Sequence, residues 1–178
     1  MKKLLLLTAA FASMLFASCS KEEMAPQANE TTVSYTVEIP TVQTKGSTKS
    51  IGDGLNTKQL IYEVWKTDGE DVTDLTNSVR LFQKTTHLVE SENGKLRTVI
   101  SLNLVQDQEY TILFWAQNED NTPYNTTNLT AVTYKDGSLS SNKEDYAAFY
   151  AVDFISDSDP RSKTVTLYRP FAQLNIGT

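Results

Sequence analysis

The chain of 178 residues has few of the side chains that build reactive sites, since it contains one cysteine, Cys19, and one histidine, His87. A single thiol cannot form a disulfide within the chain, and one cysteine with one histidine is too few for a zinc site. A Ser-His-acid triad would have to use His87, yet no nucleophile motif surrounds any serine. We interpret His87 as a polar residue at a strand end, and we expect no enzyme activity, no metal and no cofactor.

Basic residues are outnumbered, with 16 lysines and arginines against 22 aspartates and glutamates and a formal net charge of -6. Proteins that bind nucleic acid neutralise its phosphates with clustered lysine and arginine side chains. The sequence has no such cluster. We therefore expect no nucleic-acid partner.

Long apolar runs are also missing, apart from the one at the start of the chain. Lys2 and Lys3 precede an apolar stretch over residues 4–16, and small residues lead from there to Cys19. These are the parts of a secretory signal, and the stretch is shorter than the roughly 20 residues that span a bilayer. We predict a signal peptide over residues 1–18, whose removal changes the formal net charge from -6 to -8.

The residues around Cys19 resemble a bacterial lipobox, Leu15-Phe16-Ala17-Ser18-Cys19. The resemblance implies that Cys19 is lipidated and becomes the mature N-terminus; stable attachment then needs more than one acyl chain. The following residues, Ser20, Lys21, Glu22 and Glu23, are similar to the tag that directs lipoproteins of Bacteroidota to the cell surface. The polar composition of residues 19–32 predicts a flexible, lipidated tether on the outer membrane.

Alternation of apolar and polar residues dominates the rest of the chain. In residues 33–39 the apolar positions are Val33, Tyr35, Val37 and Ile39, which predicts a half-buried strand. Seven further runs predict strands: 58–65, 79–85, 95–105, 109–118, 129–135, 149–155 and 163–176. The run over 109–118 is apolar on both faces through its middle, so we expect it to be a central strand.

Turn residues separate these runs. Asn93-Gly94 and Asp136-Gly137 predict tight hairpins, and Asp68-Gly69 predicts a looser turn. A helical pattern is confined to residues 142–148, which predicts one or two short turns. The sequence therefore predicts an all-β domain over residues 33–178, an antiparallel β-sandwich of about seven or eight strands.

Pro170 lies inside the last run, and it cannot donate a hydrogen bond to a neighbouring strand. We expect the chain to break, to change sheets or to run along an edge there. The surrounding sequence, Val165-Thr166-Leu167-Tyr168-Arg169-Pro170-Phe171-Ala172-Gln173-Leu174-Asn175-Ile176, resembles a signature of the fimbrillin-like surface lipoproteins of Bacteroidota. Residues 60–65, 110–118 and 145–150 are similar to further segments of that family, in the same order. The resemblance implies a transthyretin-like β-sandwich.

The resemblance also implies a structural or adhesive subunit that assembles with other fimbrial subunits by strand addition. In pilus-forming members a protease removes the N-terminus with the first strand, and a strand of another subunit fills the groove. Carried over, residues 33–39 would be the displaceable strand, at a sheet edge. The loop of residues 41–51 would be cleaved, with Lys45 and Lys49 where polymerising relatives have arginine. Those relatives continue into a second domain, so this chain resembles their N-terminal domain alone.

Two other functions stay open. A glycan-binding module would use exposed aromatic rings, for which Trp65 and Tyr124 are the candidates, whereas Trp115 is expected in the core. A carboxylate-based hydrolase would need two acidic side chains that converge on one cleft. Acidic groups at residues 118–121 and at Asp153, Asp157 and Asp159 lack the spacing of a calcium loop. We interpret both groups as polar turns with local hydrogen bonds.

Overall fold

The computed structural model describes residues 29–40, 54–67, 74–91, 94–120, 122–135 and 146–170. These segments contain ten strands and one 3₁₀ turn at Leu129–Ala131. The strands are β1 Glu30–Ile39, β2 Gln59–Thr67, β3 Val79–His87, β4 Val89–Glu90, β5 Leu96–Val105, β6 Glu109–Gln117, β7 Tyr124–Asn125, β8 Thr133–Tyr134, β9 Ala148–Ile155 and β10 Ser162–Thr166.

The strands form two four-stranded sheets and a small ribbon. Sheet I has the order β10-β1-β5-β4, sheet II has the order β3-β2-β6-β9, and β7 pairs with β8. The prediction of an all-β sandwich is confirmed. Strand pairs are antiparallel as expected except for one, because β10 runs parallel to β1.

The core lies between the two sheets. Alternate side chains of β1 and β5 meet alternate side chains of β2 and β6 in one buried cluster. At its centre the rings of Tyr35 and Phe114 lie 5.5 Å apart in a tilted arrangement. Period-two alternation therefore predicted the inward-facing residues of β1 correctly.

Sheet II is also covered on its outer face. Ile61, Leu113 and Trp115 form a second buried cluster there with Tyr124 and Leu129. The last two come from the segment of residues 122–135, which crosses the sheet. Strand β6, between β2 and β9, is therefore buried on both faces, and its prediction as a central strand is confirmed.

The predicted strand over residues 129–135 is wrong for most of its length. Leu129–Ala131 form a 3₁₀ turn, and the strand that follows has two residues. Asn128 caps the turn, because its side-chain oxygen accepts hydrogen bonds from the backbone N–H and the hydroxyl of Thr130. Such local bonds compete with strand pairing, and the turn places Leu129 in the second cluster.

Several boundaries differ from the prediction. Strand β1 begins at Glu30, so residues 30–32 of the predicted tether pair with β5. Strand β10 ends at Thr166, and Tyr168 then forms two backbone hydrogen bonds with Tyr150 of β9, at 2.7 and 3.0 Å. The chain thus changes sheets, one of the outcomes expected from Pro170, but it does so before reaching the proline. The short strands β4 and β7 were not predicted.

Some predicted features fall outside the described residues. These are the signal peptide, Cys19, residues 20–23, Lys45 and Lys49, the Asp68-Gly69 and Asp136-Gly137 turns, residues 142–145 and residues 171–178. Gly94 of the remaining predicted hairpin has a φ of 71°, in the left-handed region that the turn requires. No helix in the described segments is long and apolar enough to cross a membrane.

Candidate functional site at the first strand

Strand β1 lies inside sheet I. Its residues Glu30–Ile39 pair antiparallel with Leu96–Val105 of β5, and Ser34–Glu38 pair parallel with Ser162–Thr166 of β10. The prediction that β1 is an edge strand is therefore wrong. Alternation within one strand reports which face is buried, but it carries no information about a partner that returns from the far end of the chain.

The inward side chains of β1 are completely buried. Val33, Tyr35, Val37 and Ile39 each have an exposed fraction of 0 %. Burial of one such side chain stabilises a fold by roughly 1.5–3 kcal/mol. Loss of β1 would therefore open a long apolar groove between β5 and β10 and remove a large share of the core.

One inward position of β1 is polar at its tip. The Tyr35 hydroxyl donates to Oδ2 of Asp153 on β9 at 2.9 Å, and Nζ of Lys163 on β10 lies 2.6 Å from the same oxygen. Lys163 also donates to the Phe154 carbonyl at 2.8 Å. The Asp153 carboxyl group therefore connects β1 and β10 of sheet I to β9 of sheet II.

Burial raises the pKa of the Tyr35 hydroxyl well above its usual value, and the neighbouring Asp153 raises it further. Tyr35 therefore keeps its proton and remains a hydrogen-bond donor. Nearby, the backbone N–H of Ser156 donates to Asp159 at 2.7 Å and lowers the pKa of that carboxyl. Asp159 Oδ1 also lies 3.9 Å from Lys163 Nζ.

A completely buried carboxyl group lies on the outer face of sheet II, at Glu63. Its Oε1 accepts from Arg80, Gln83 and the backbone N–H of Leu129 at 2.9–3.1 Å, and its Oε2 accepts from the Trp65 indole at 2.8 Å. Arg80 and Gln83 also donate to the carbonyls of residues 127 and 126. Glu63 therefore fastens the crossing segment, residues 122–135, to sheet II.

Sequence reasoning missed this role of Glu63. The available signal was a glutamate inside the apolar run Leu60-Ile61-Tyr62-Glu63-Val64-Trp65. A charged residue within a strand that is buried on both faces needs several donors around it.

Beside the crossing segment, sheet II leaves a groove of about 650 Å³ open on its outer face. The groove is lined by Trp65, Leu75, Thr76, Thr111, Leu113, Leu129, Thr130, Tyr150, Val152 and Phe154. Trp65 is half-buried, and its hydrogen bond to Glu63 fixes the ring. The groove therefore offers one fixed indole ring among aliphatic, aromatic and hydroxyl-bearing neighbours.

Residues 25–178 match the model of a family of unknown function, DUF6562. The chain belongs to this family. Among solved structures, the crystal structure of a fimbrial assembly protein from Parabacteroides distasonis is similar, with 14 % sequence identity and a TM-score of 0.38. The match covers 78 % of this chain and 52 % of that one, so this chain spans about half the length of that protein. No curated protein matches.

The other aromatic candidates of this DUF6562 chain are buried. Tyr124 is only 4 % exposed, its ring packs on Trp115 at 5.2 Å, and its hydroxyl donates to the Tyr146 carbonyl. Tyr124, kept as a candidate for the alternative glycan-binding function, is therefore not an exposed stacking residue, because the crossing segment turns it inward. The prediction that Trp115 belongs to a core is confirmed.

The acidic residues proposed for polar turns have different partners. Asp153 contacts Tyr35 and Lys163, Asp157 lies 3.6 Å from Arg161, and Asp159 accepts from Ser156. In the other group, Asn118 accepts from the backbone N–H of Asp120 at 2.9 Å. The interpretation as local turns is confirmed for Asn118 and Asp159. It is wrong for Asp153, which lies within strand β9 and contacts Tyr35 in the other sheet. Within the described segments, no group of three or more histidine, cysteine or acidic side chains is placed to hold a metal ion.

His87 is the last residue of β3, as expected for a strand end. Its side chain is 62 % exposed, and Nε2 lies 3.1 Å from Oε2 of Glu119. This pair lies at the surface, where such contacts contribute little to stability.

Proposed function

We propose that this protein is a non-enzymatic, surface-anchored lipoprotein of the fimbrillin type, a structural or adhesive subunit whose first strand is replaced by a strand from another subunit. The observation that carries the proposal is the position of β1. It is the first strand of the described segments, yet it lies inside sheet I between β5 and β10. An incoming strand that takes its place recovers the backbone hydrogen bonds on both sides.

The connection between β1 and the rest of the domain also supports the proposal. Strand β1 ends at Ile39, and the next strand among the described residues, β2, begins at Gln59 in the other sheet. A cut at Lys45 or Lys49 would leave β1 held by non-covalent contacts alone. Cys19 lies on the same side of the cut, so one cleavage would separate both the first strand and the lipid anchor from the domain.

Limited trypsin digestion of the soluble chain from Ser20 to Thr178 tests this function. We expect cleavage at Lys45 or Lys49, seen by intact mass, and then uptake of a synthetic β1 peptide or oligomerisation, seen by size-exclusion chromatography. The Lys45→Gln/Lys49→Gln double variant is the matched control and should resist the cut. A cleaved chain that stays monomeric and takes up no peptide would contradict strand replacement.

The lipid anchor is tested separately with Cys19→Ser. We expect the variant to move from the membrane fraction to the soluble fraction, because no other thiol is present to carry acyl chains. Ser20→Ala is the control and should remain in the membrane fraction. Unchanged fractionation of Cys19→Ser would refute lipidation.

A second function, glycan binding, is favoured by the groove beside Trp65. Trp65 and Tyr150 line it together with the hydroxyl-bearing residues Thr76, Thr111 and Thr130. Aromatic faces pack against sugar rings, and hydroxyl groups hydrogen-bond to them. A glycan that quenches tryptophan fluorescence in the wild type but not in Trp65→Leu would support this function. Equal quenching in the wild type and in Trp65→Leu would show that the glycan does not bind beside Trp65.

A further inference from the structure

We propose that the groove between β5 and β10, which β1 fills, selects its strand through Asp153. An incoming strand then needs a tyrosine at the position of Tyr35. This inference rests on the proposed strand replacement and names its partner. The partner is a β-strand with the pattern apolar-x-Tyr-x-apolar-x-apolar, as in residues 33–39 of a second copy of this chain.

The four inward positions of β1 are not equivalent. Val33, Val37 and Ile39 pack in the hydrophobic cluster, where shape and apolar area decide the fit. Tyr35 differs because its hydroxyl reaches the Asp153 carboxyl group, which is 22 % exposed and faces the space between the sheets. The groove is therefore apolar along its length with one acceptor at a fixed point.

An incoming phenylalanine or valine would leave that acceptor with Lys163 as its remaining side-chain donor. A hydrogen bond to a charged group contributes more than one between neutral groups. It is also costly to leave a partly buried acceptor without a donor. Serine or threonine would not substitute, because the Tyr35 ring also packs on Phe114 at 5.5 Å. The site therefore matches an aromatic ring that ends in a hydroxyl.

Asp153 also fixes the register of the strand. A slip of two residues keeps the same face inward but places Val33 or Val37 at the carboxyl group and moves the tyrosine into the apolar cluster. A slip of one residue turns every inward side chain to the other face. A buried polar contact that penalises wrong alignments is a known way to specify register.

The test uses the soluble chain from Ser20 to Thr178 with a site-specific protease sequence inserted between residues 41 and 53. After cleavage, fluorescent peptides of residues 30–39 are added, and binding is followed by anisotropy. The wild-type peptide should bind about tenfold or more tightly than the Tyr35→Phe peptide, as expected for one hydrogen bond to a carboxyl group. A Thr36→Val peptide, altered at an outward position, should bind like the wild type.

The cleaved Asp153→Leu chain provides the specific readout, because it should bind the tyrosine and phenylalanine peptides equally. Asp153→Asn keeps an acceptor, so it should retain a reduced preference for the tyrosine peptide over the phenylalanine peptide. This variant replaces Asp153→Leu in the test if Asp153→Leu does not fold. Equal binding of the two peptides to the wild-type chain would overturn the selection by Asp153 and leave strand replacement intact. If neither peptide binds, strand replacement itself is refuted and the selection fails with it.

Discussion

Two carboxyl groups hold segments of this protein in place, and they do so in different ways. Glu63 is completely buried, and four donors from β2, β3 and the crossing segment surround it. Asp153 is partly exposed and binds Tyr35, which lies 118 residues away in the first strand, together with Lys163. The first arrangement fixes a segment in the middle of the chain; the second holds β1, the strand that we propose is replaced.

Under the proposed strand replacement, the Glu63 network holds a permanent segment and the Asp153 contact holds a replaceable strand. Removal of Glu63 leaves several donors unsatisfied at once, whereas removal of Tyr35 leaves Asp153 with Lys163. We therefore expect the Glu63 network to govern the stability of the fold, and the Tyr35 contact to govern which strand occupies the groove.

The largest effect is expected for Glu63→Ala. It should lower the free energy of unfolding by about 3 kcal/mol, because it leaves donors of a buried network without their acceptor. Urea unfolding measures the change. Glu38→Ala is the control, because Glu38 has a single salt-bridge partner, Lys95 at 3.2 Å, and both side chains are partly exposed; the loss should be at most about 1 kcal/mol. An equal decrease in the free energy of unfolding in the two variants would show that the hydrogen bonds of Glu63 do not stabilise the fold more than a partly exposed ion pair does.

A smaller effect is expected for Tyr35→Phe in the intact chain. The variant keeps the ring packing on Phe114 but removes one hydrogen bond, so unfolding should become easier by about 1–2 kcal/mol. Tyr168→Phe, at a side chain that is largely exposed, should change stability by less than about 0.5 kcal/mol. If Tyr35→Phe lowered the free energy of unfolding about as much as Glu63→Ala, the Tyr35 contact and the Glu63 network would not differ in their contribution to stability.

The last effect concerns alkaline pH and is absent at neutral pH. Burial raises the pKa of several tyrosines, and for Tyr124 it reaches about 12. The others are Tyr35, Tyr62, Tyr110 and Tyr150. Below pH about 10 these side chains are protonated in both states, so they do not change the stability. Above it the unfolded chain loses protons that the fold retains, so stability should fall as pH rises.

Urea titrations at several pH values between 9 and 12 would measure this dependence. The decrease should be shallower in Tyr35→Phe than in the wild type, because one of the raised groups is gone. Identical slopes would show that Tyr35 ionises as easily in the fold as in the unfolded chain.

The sequence predicted local features better than pairings. Alternation identified β1, β2, β5, β6 and β9 because the side-chain period of a strand reports its buried face directly. It could not show that β10 returns parallel to β1, since pairing over long separations depends on the whole fold. It also misjudged residues 129–135, where the Asn128 cap and the burial of Leu129 decide the conformation.

The candidate site was predicted only in part. The inward positions of β1 were correct, but its place inside sheet I was not. Asp153 was identified as an acidic residue of a turn, although its position in the β9 alternation, between the inward-facing Ala151 and Ile155, indicates the core side. Which tyrosine such a carboxyl group meets depends on how the two sheets pack, and one strand's sequence does not contain that information.

The most direct test of strand replacement is native mass spectrometry of the soluble chain, cleaved at a site inserted between residues 41 and 53 and mixed with an isotope-labelled copy of residues 20–40. The account predicts that the labelled segment exchanges into the folded domain while the original segment is released. A domain that stays folded and keeps its original segment without exchange, even under mild denaturing conditions, would contradict it.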